Sequence, residues 1–460
     1  MQQIINKAKA VYFRLSDSIA FYPTLIAAAL GVFGLLMMLF ESTDLAIRLK
    51  EQVPFLVIDQ PDTARTILSA IVGSIISLMV FSFSMVMVVL SQAASNYSPR
   101  VLPELTSERA HQWVLGVFLG TTVYCLILLM NILPEDDEYQ VPGLAIFVGI
   151  LLAITCLGMF VYFIHTISNA IRVNKILKSL YLRTSARLTR QAAHKIQSEE
   201  LGEDTDTWIP HTAQRSGYLE GIVIETLLSL AAETDNAFYI TVPNGTFFLE
   251  NVVLIKAKRP LDDAQTRTLH DCILANDDEI IEANYLYGFK QLTEVAVKAM
   301  SPGINDPGTA SSAIDYLMVL FAQRIGHPDS EAILDKYGHV RIRMASESFA
   351  QLIVEKVASI VHYSQQDTQI LLKVLNMFEY LARYKDNGLG HEGALRDCIK
   401  LVADTANEGI AMPLNRQRIA TKLRQLDELY DTDYHAILDT DATHDRRPAY
   451  IQEEQSRTKA

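Results

Sequence analysis

Four long apolar runs occupy the first third of the chain, at about Ile19–Phe40, Ile67–Leu90, Trp113–Leu133 and Leu144–Ile167. None carries Asp, Glu, Lys or Arg in its interior. A bilayer core about 30 Å thick takes roughly 20 such residues as a helix, so the pattern predicts four membrane-spanning helices. The first run follows Lys7, Lys9 and Arg14, as a secretory leader would. It exceeds the roughly 7–15 apolar residues of a cleaved leader and is expected to remain as an anchor.

Beyond the fourth run the helical period continues through Ile164, Ile167, Ile171, Ile176, Leu177 and Leu180, with no Gly or Pro from His165 to Gln197. That predicts one continuous helix from Leu144 to Gln197, on the order of 80 Å at 1.5 Å per residue. The charged run Glu199-Glu200-Leu201-Gly202-Glu203-Asp204 ends it. After that the period alternates between 2 and 3.6. Tyr218–Ile224 reads as a strand, Glu225–Thr234 as a helix, and Phe238–Val242 and Thr246–Ile255 as strands joined by Pro243-Asn244-Gly245, a hairpin signal. A helix over Asp262–Leu274 and a last strand over Glu279–Asn284 complete a βαββαβ order, that of a ferredoxin-like split unit. Helices follow at Leu286–Met300, Pro307–Arg324, Ser346–His362, Asp367–Tyr384, Glu392–Glu408 and Leu414–Leu429.

The expected fold class is therefore a membrane α-helical part with four transmembrane helices plus a cytoplasmic α+β domain, mostly helical. Its expected parts are a transmembrane domain over 1–165, a helical stalk and linker over 166–204, a small α+β domain over 205–300 and a helical domain over 301–440. Residues 441–460 are polar and aperiodic, and are expected to be a disordered tail.

Charge sets the expected orientation. The loop Pro134-Glu135-Asp136-Asp137-Glu138 has no base, whereas Arg172, Lys175, Lys178, Arg183, Arg187 and Arg190 follow the fourth run. Basic flanks stay on the cytoplasmic side. The expectation is a multi-pass protein of the plasma (inner) membrane with both the N- and C-termini cytoplasmic. Arg48, Lys50 and Arg65 offset the basic flank of the first run, so the last pair of flanks decides.

Composition agrees with a lipid-bilayer partner: half of the 460 residues are hydrophobic and the mean hydropathy is +0.16. A formal net charge of −13 argues against duplex nucleic acid as a partner. Cys125, Cys156, Cys272 and Cys398 show neither CxxC nor Cys/His spacing, so they read as reduced thiols with no disulfide framework and no metal site. Signatures of the common nucleotide, zinc and acyl-transfer enzymes are missing. That lowers the case for an enzyme, and no cofactor can be named.

Two strings carry candidate chemistry. Along the second apolar run and just past its end, Ser74, Ser77, Ser84, Ser91, Gln92 and Ser95 fall within about one third of a helix circumference at 100° per residue. Small polar residues of this kind let helices pack closely; facing water, they line a pore in a homo-oligomer. Gly116-x-x-x-Gly120 in the third run is a packing motif of the small-xxx-small kind. The second string is Lys298-Ala299-Met300-Ser301-Pro302-Gly303-Ile304-Asn305-Asp306-Pro307-Gly308-Thr309-Ala310. Pro302 and Gly303 end a helix, and Asp306 followed by Pro307 starts the next. The same turn gathers Ser301, Asn305, Asp306 and Thr309, with Glu282, Tyr285, Gln291 and Glu294 upstream, as a candidate ligand site at a helix N-terminus.

Together the strings resemble a bacterial family of predicted membrane proteins, domain of unknown function 2254. The resemblance is carried by Ser84 through Arg100, especially Ser91-Gln92 and Ser98-Pro99-Arg100, and by Leu115-Gly116-x-Phe118-Leu119-Gly120-Thr121 with Tyr124. It resumes at Gly288-Phe289-x-Gln291-Leu292 and at Ala299-x-Ser301-Pro302-Gly303-Ile304-Asn305-Asp306-Pro307-x-Thr309-Ala310. It covers about residues 10–430. One departure is Asn284-Tyr285-Leu286-Tyr287, where the family pattern leads one to expect an acid. The resemblance implies several spans and a cytoplasmic domain, and supplies no substrate, reaction or cofactor. The leading expectation is an oligomeric channel or transport-like protein whose cytoplasmic domain senses a small-molecule or protein ligand. The alternatives are a membrane-anchored interaction or sensing module without a pore and, least favoured, a membrane-bound enzyme using Asp306.

Overall fold

The computed structural model describes residues 20–41, 43–52, 58, 60–96, 109–132, 141–170, 172–192, 205–276, 281, 284–327, 329, 331–384 and 390–439. The chain divides into two compact units, 1–175 and 176–460.

The first unit is helical: α1 (Phe21–Glu41), α2 (Asp44–Gln52), α3 (Pro61–Asn96), α4 (Arg109–Met130) and α5 (Gly143–Ala170). Helices α1, α3, α4 and α5 are each long and apolar enough to cross a membrane. Leu39, Val80, Val88 and Val161 stand mostly exposed on their outer surfaces. In water such an array would be costly; in lipid it is the solvated face. Inside, Leu68, Tyr124, Cys125, Leu128 and Ile146 form one buried cluster. Ile75, Phe118, Cys156, Phe163 and Ile167 form another.

Glycines set the approach of α1 and α4. A Cβ at Gly116 would lie 2.7 Å from the Ile26 side chain and 3.1 Å from Pro23 Cα, and one at Gly120 would lie 2.6 Å from the Leu30 side chain. With little hydrophobic drive between helices in lipid, close backbone approach supplies the dispersion contacts that hold them.

The expected continuous helix from Leu144 to Gln197 is corrected. The helix ends at Ala170, Arg172 is non-helical, and α6 (Val173–Ala192) starts with the Lys175 N–H donating to the Arg172 carbonyl at 2.9 Å. Residues 193–197 lie outside the described residues. The apolar period runs straight across the break because both helices have a face to bury. That of α6 covers Leu177, Leu180 and Leu188. It meets the second unit's own helices: Tyr181 stacks on Tyr316 at 5.2 Å, and Thr184 fills the space a Cβ would take at Gly288.

The rest of the second unit begins with β1 (Ile209–Thr212), β2 (Gly217–Ile222), α7 (Ile224–Glu233), β3 (Phe238–Ile240), β4 (Phe247–Phe248), β5 (Val253–Ala257), α8 (Asp263–Asp271) and β6 (Ile273–Asn276). From β2 the order is β-α-β-β-β-α-β, one strand more than expected, and it does not form one sheet. Strands β1-β5-β3-β8-β7 form one sheet and β4-β2-β6 another. The single ferredoxin-like unit is therefore corrected to two sheets, with a strand at Ile273–Asn276 where the expected helix over Asp262–Leu274 ends; most of the expected strand over Glu279–Asn284 lies outside the described residues. Nor does the Asn244-Gly245 turn join a hairpin. Gly245, at φ +80°, donates its N–H to Leu219 O at 2.7 Å, and the Asn284 side chain occupies the space beside it. Asn251, at φ +66°, then separates β4 from β5, so the expected Thr246–Ile255 strand breaks between sheets.

Helices α9 (Tyr285–Ala299) and α10 (Pro307–Arg324) precede β7 (Glu331–Leu334) and β8 (Val340–Met344), strands the sequence reading left unassigned. Helices α11 (Phe349–Tyr363), α12 (Thr368–Leu381), α13 (Glu392–Gly409), α14 (Pro413–Tyr430) and α15 (Ala436–Asp439) complete the unit. An aromatic line, Phe289–Phe321–Phe349–His391, runs through its core with centroids 5.0, 6.2 and 4.8 Å apart.

Candidate functional site

Helix α3 carries the polar stripe, and its direction is the informative fact. Ser74, Ser77, Ser84, Ser91, Gln92 and Ser95 are all exposed in the protomer. The buried positions of the same helix, Ala64, Leu68, Ile75 and Ser82, lie on the opposite side. The stripe is thus turned away from the bundle that α3 belongs to, and takes no part in packing within the protomer. Ser77 satisfies itself by donating to the Gly73 carbonyl at 2.8 Å. Gly73 lies on the same outward face, with nothing near the position of its absent Cβ.

The turn between α9 and α10 is held by bonds within itself. The Asp306 carboxylate accepts the Thr309 N–H at 3.0 Å and the Thr309 hydroxyl at 2.6 Å. These bonds hold its carboxyl below the usual carboxylate range. Ser301 donates its hydroxyl to Lys298 O at 2.6 Å and accepts the Asn305 N–H on its carbonyl at 3.0 Å. Asn305 sits at φ +46°, in the left-handed region that an Asn tolerates. Gln291 and Glu294 lie on α9, roughly 13 Å and 9 Å along the helix from Met300 at 1.5 Å per residue. The structure therefore joins Ser301, Asn305, Asp306 and Thr309 and places Gln291 and Glu294 further back. Glu282 lies outside the described residues. Asn284, where the family pattern suggests an acid, caps α9 by accepting the Leu286 N–H at 3.0 Å, a role an Asp would also fill.

Two polar centres escaped the sequence reading. In the first unit, Glu41 at the end of α1 pairs with Lys50 at 2.6 Å and accepts the Ala145 N–H at 2.8 Å. The Tyr124 hydroxyl donates to the Ala145 carbonyl at 2.8 Å. In the second unit Arg324 is fully buried. It donates to the Tyr285 hydroxyl at 2.9 Å, to His327 O at 2.8 Å, to Asp329 at 2.5 Å and to Glu347 O at 3.2 Å. Burial pushes the neighbouring Glu347 carboxyl up and His391 down, each towards its neutral form. A lone Arg or Glu at the edge of an apolar run carries no periodic signal, and only the fold reveals the partner.

Among the described residues the four cysteines are free and buried. The one cluster there with metal-ligand geometry is Asp427, Asp433 and His435. Its central carboxylate, Asp427, is taken up by the N–H groups of Tyr434 and His435 and by the Thr432 hydroxyl.

The family model described as predicted membrane protein, DUF2254, matches residues 16–380. Uncharacterized protein Rv1290c of Mycobacterium tuberculosis is 23% identical to the chain over 398 residues, covering 83% of this chain and 74% of the relative. Uncharacterized protein Mb1321c of Mycobacterium bovis has the same identity and coverage. No solved structure matches.

Proposed function

Since the chain belongs to the DUF2254 family of predicted membrane proteins, we propose that it works in the inner membrane as a homo-oligomeric channel or transport-like protein. The observation that carries this reading is the outward direction of the α3 stripe. Facing acyl chains, the stripe serines inside the span, Ser74, Ser77 and Ser84, would lack partners beyond the helix backbone, whereas copies meeting through α3 would cover the stripe or line a wet path. The basic residues following the fourth span support a cytoplasmic second unit and cytoplasmic termini. There the second unit acts as a sensor whose state is passed to the spans. The capping bonds of Asp306 to Thr309 support its role as punctuation between helices over a role in catalysis.

Ion flux into liposomes carrying the purified protein tests the reading. Flux should fall sharply when Ser77 and Ser84 are both changed to Leu; equal flux from the two proteins would end the pore. Copper-catalysed cross-linking of a Ser84→Cys variant tests the assembly separately, with a low background because the native thiols are buried. A dimer band on denaturing gels is expected. Cross-linking without flux would favour the second reading, an anchored sensing module without a pore, which the compact second unit also suits.

A further inference from the structure

At one end of the five-stranded sheet, where β1, β3 and β8 begin and β5 finishes, the loops leave an open cavity of about 560 Å³. Its walls carry Lys258, Arg259, His339, Arg341 and Arg343 against one lining carboxylate, Asp235. Four permanent cations in one cavity invert the sign of a chain whose formal net charge is −13.

The three guanidinium groups are also held in place. Asp235, at φ +46°, pairs with Arg259 at 2.8 Å and with Arg341 at 3.1 Å. Asp335, in the β7–β8 turn, fixes the other edge of Arg341 at 2.9 Å and accepts the N–H groups of Tyr337 and His339. Two carboxylates thus orient one guanidinium at the cavity wall. The Arg343 guanidinium lies over the Trp208 ring at 5.9 Å, which fixes a planar cation by its face. Planar, oriented guanidinium groups match the paired oxygens of a phosphoryl group, and a flexible Lys adds a point charge. The volume falls within the roughly 300–1,000 Å³ of small-molecule sites.

We propose that this cavity binds a small phosphorylated ligand of nucleotide size, recognised through its phosphoryl oxygens. The proposal gives the sensing role above its ligand class and rests on that reading only for its consequence, not for binding itself. The recognised group is a phosphate ester, carried by a soluble molecule or by a lipid headgroup, and the test separates these.

Full-length protein in discs of phosphatidylcholine would be titrated with ADP, inorganic phosphate and adenosine by calorimetry at low and at physiological salt. ADP should bind saturably, at least ten-fold more tightly than adenosine, and more weakly as salt rises. Lys258→Gln and Arg343→Gln should each weaken ADP at least ten-fold. Lys258 is exposed, so its replacement keeps the test valid if the Arg343 variant fails to fold. Discs containing phosphatidylglycerol form the second arm, and loss of ADP binding there at the same salt would assign the phosphate to a lipid. No saturable binding of ADP or phosphate in either disc, or binding unchanged in the Lys258 variant, would overturn the proposal. Flux measured without added ligand reports on the spans alone, so either idea can fail without the other.

Discussion

Glu41 and Lys50 meet at 2.6 Å, with the Glu41 side chain 8% and the Lys50 side chain 16% exposed, where α1 turns into α2. The other Glu41 oxygen takes the N–H of Ala145 in the first turn of α5. One carboxylate thus ties three helices at a single end of the bundle, and it sits at a helix N-terminus whose unpaired N–H groups favour negative charge. Removing one member of such a pair leaves a charge with little water around it. Glu41→Ala is expected to cost about 3 kcal/mol, whereas Glu41→Met together with Lys50→Met should cost much less. Thermal unfolding of the detergent-solubilised protein measures both, and a Glu41→Ala variant that melts like wild type would show the pair to be idle.

The α1–α4 contact depends on absent side chains. Gly116→Val and Gly120→Val push a branched Cβ into Ile26, Pro23 and Leu30, and each should cost about 1–3 kcal/mol as overpacking. Gly158 on α5 has open space at the same position, so Gly158→Ala should be neutral or stabilise by about 0.5 kcal/mol through lower backbone entropy. Melting temperatures that fall equally for all three would contradict packing as the reason for the first two glycines.

The elements that could be read from the sequence were those whose signal is local. The four spans show it, as do helices α9 to α14, each with an apolar face and most with Pro or a capping side chain at the start. What could not be read was set by distant partners. Strand β3 pairs in parallel with β8, about a hundred residues later, so the sheet partition has no local trace. Val340-Arg-Ile-Arg-Met alternates like a strand after Gly338 at φ +87°, a signal that was present but short. The period of the α3 stripe was legible, while its outward direction was not, since a helix does not announce which of its faces the rest of the bundle will cover. The cations around the sheet-end cavity lie on two segments far apart in the chain, so no single string in the sequence marks them.

Asp306 offers a test of punctuation against chemistry. Asp306→Ala should cost about 1 kcal/mol as a lost cap, and Asp306→Asn much less, because an amide oxygen still accepts the Thr309 N–H. The folded carboxyl lies below its ordinary value of 3.8. Its stabilisation is therefore complete above that pH and is lost as the pH falls through the folded value. Urea midpoints of the Asn variant should accordingly show a flatter acid limb than wild type. An Asn variant with unchanged stability and abolished ligand binding or flux would instead move Asp306 into a site.

His391 and Glu347 flank the buried Arg324 centre, and they titrate in opposite senses. His391 is held neutral, chiefly by burial, below its ordinary value of 6.5. Between the folded value and 6.5 the unfolded chain binds a proton that the native one does not, so stability is lost as the pH falls below about 6.5. Glu347 is held neutral, again chiefly by burial, above its ordinary 4.5. There the native state binds the extra proton, so stability falls as the pH rises through that window. The two slopes oppose one another wherever the windows overlap, and one proton accounts for at most about 1.4 kcal/mol per pH unit. Replacing His391 by Phe keeps an aromatic ring against Phe349 and removes one titration, so its urea midpoint should fall less than that of wild type between pH 7 and 5.5. Glu347→Gln should do the reverse and steepen the fall in the window just above pH 4.5. Identical pH profiles for wild type and the His391 variant would mean that the imidazole is solvated in both states, and the buried centre would lose its pH dependence.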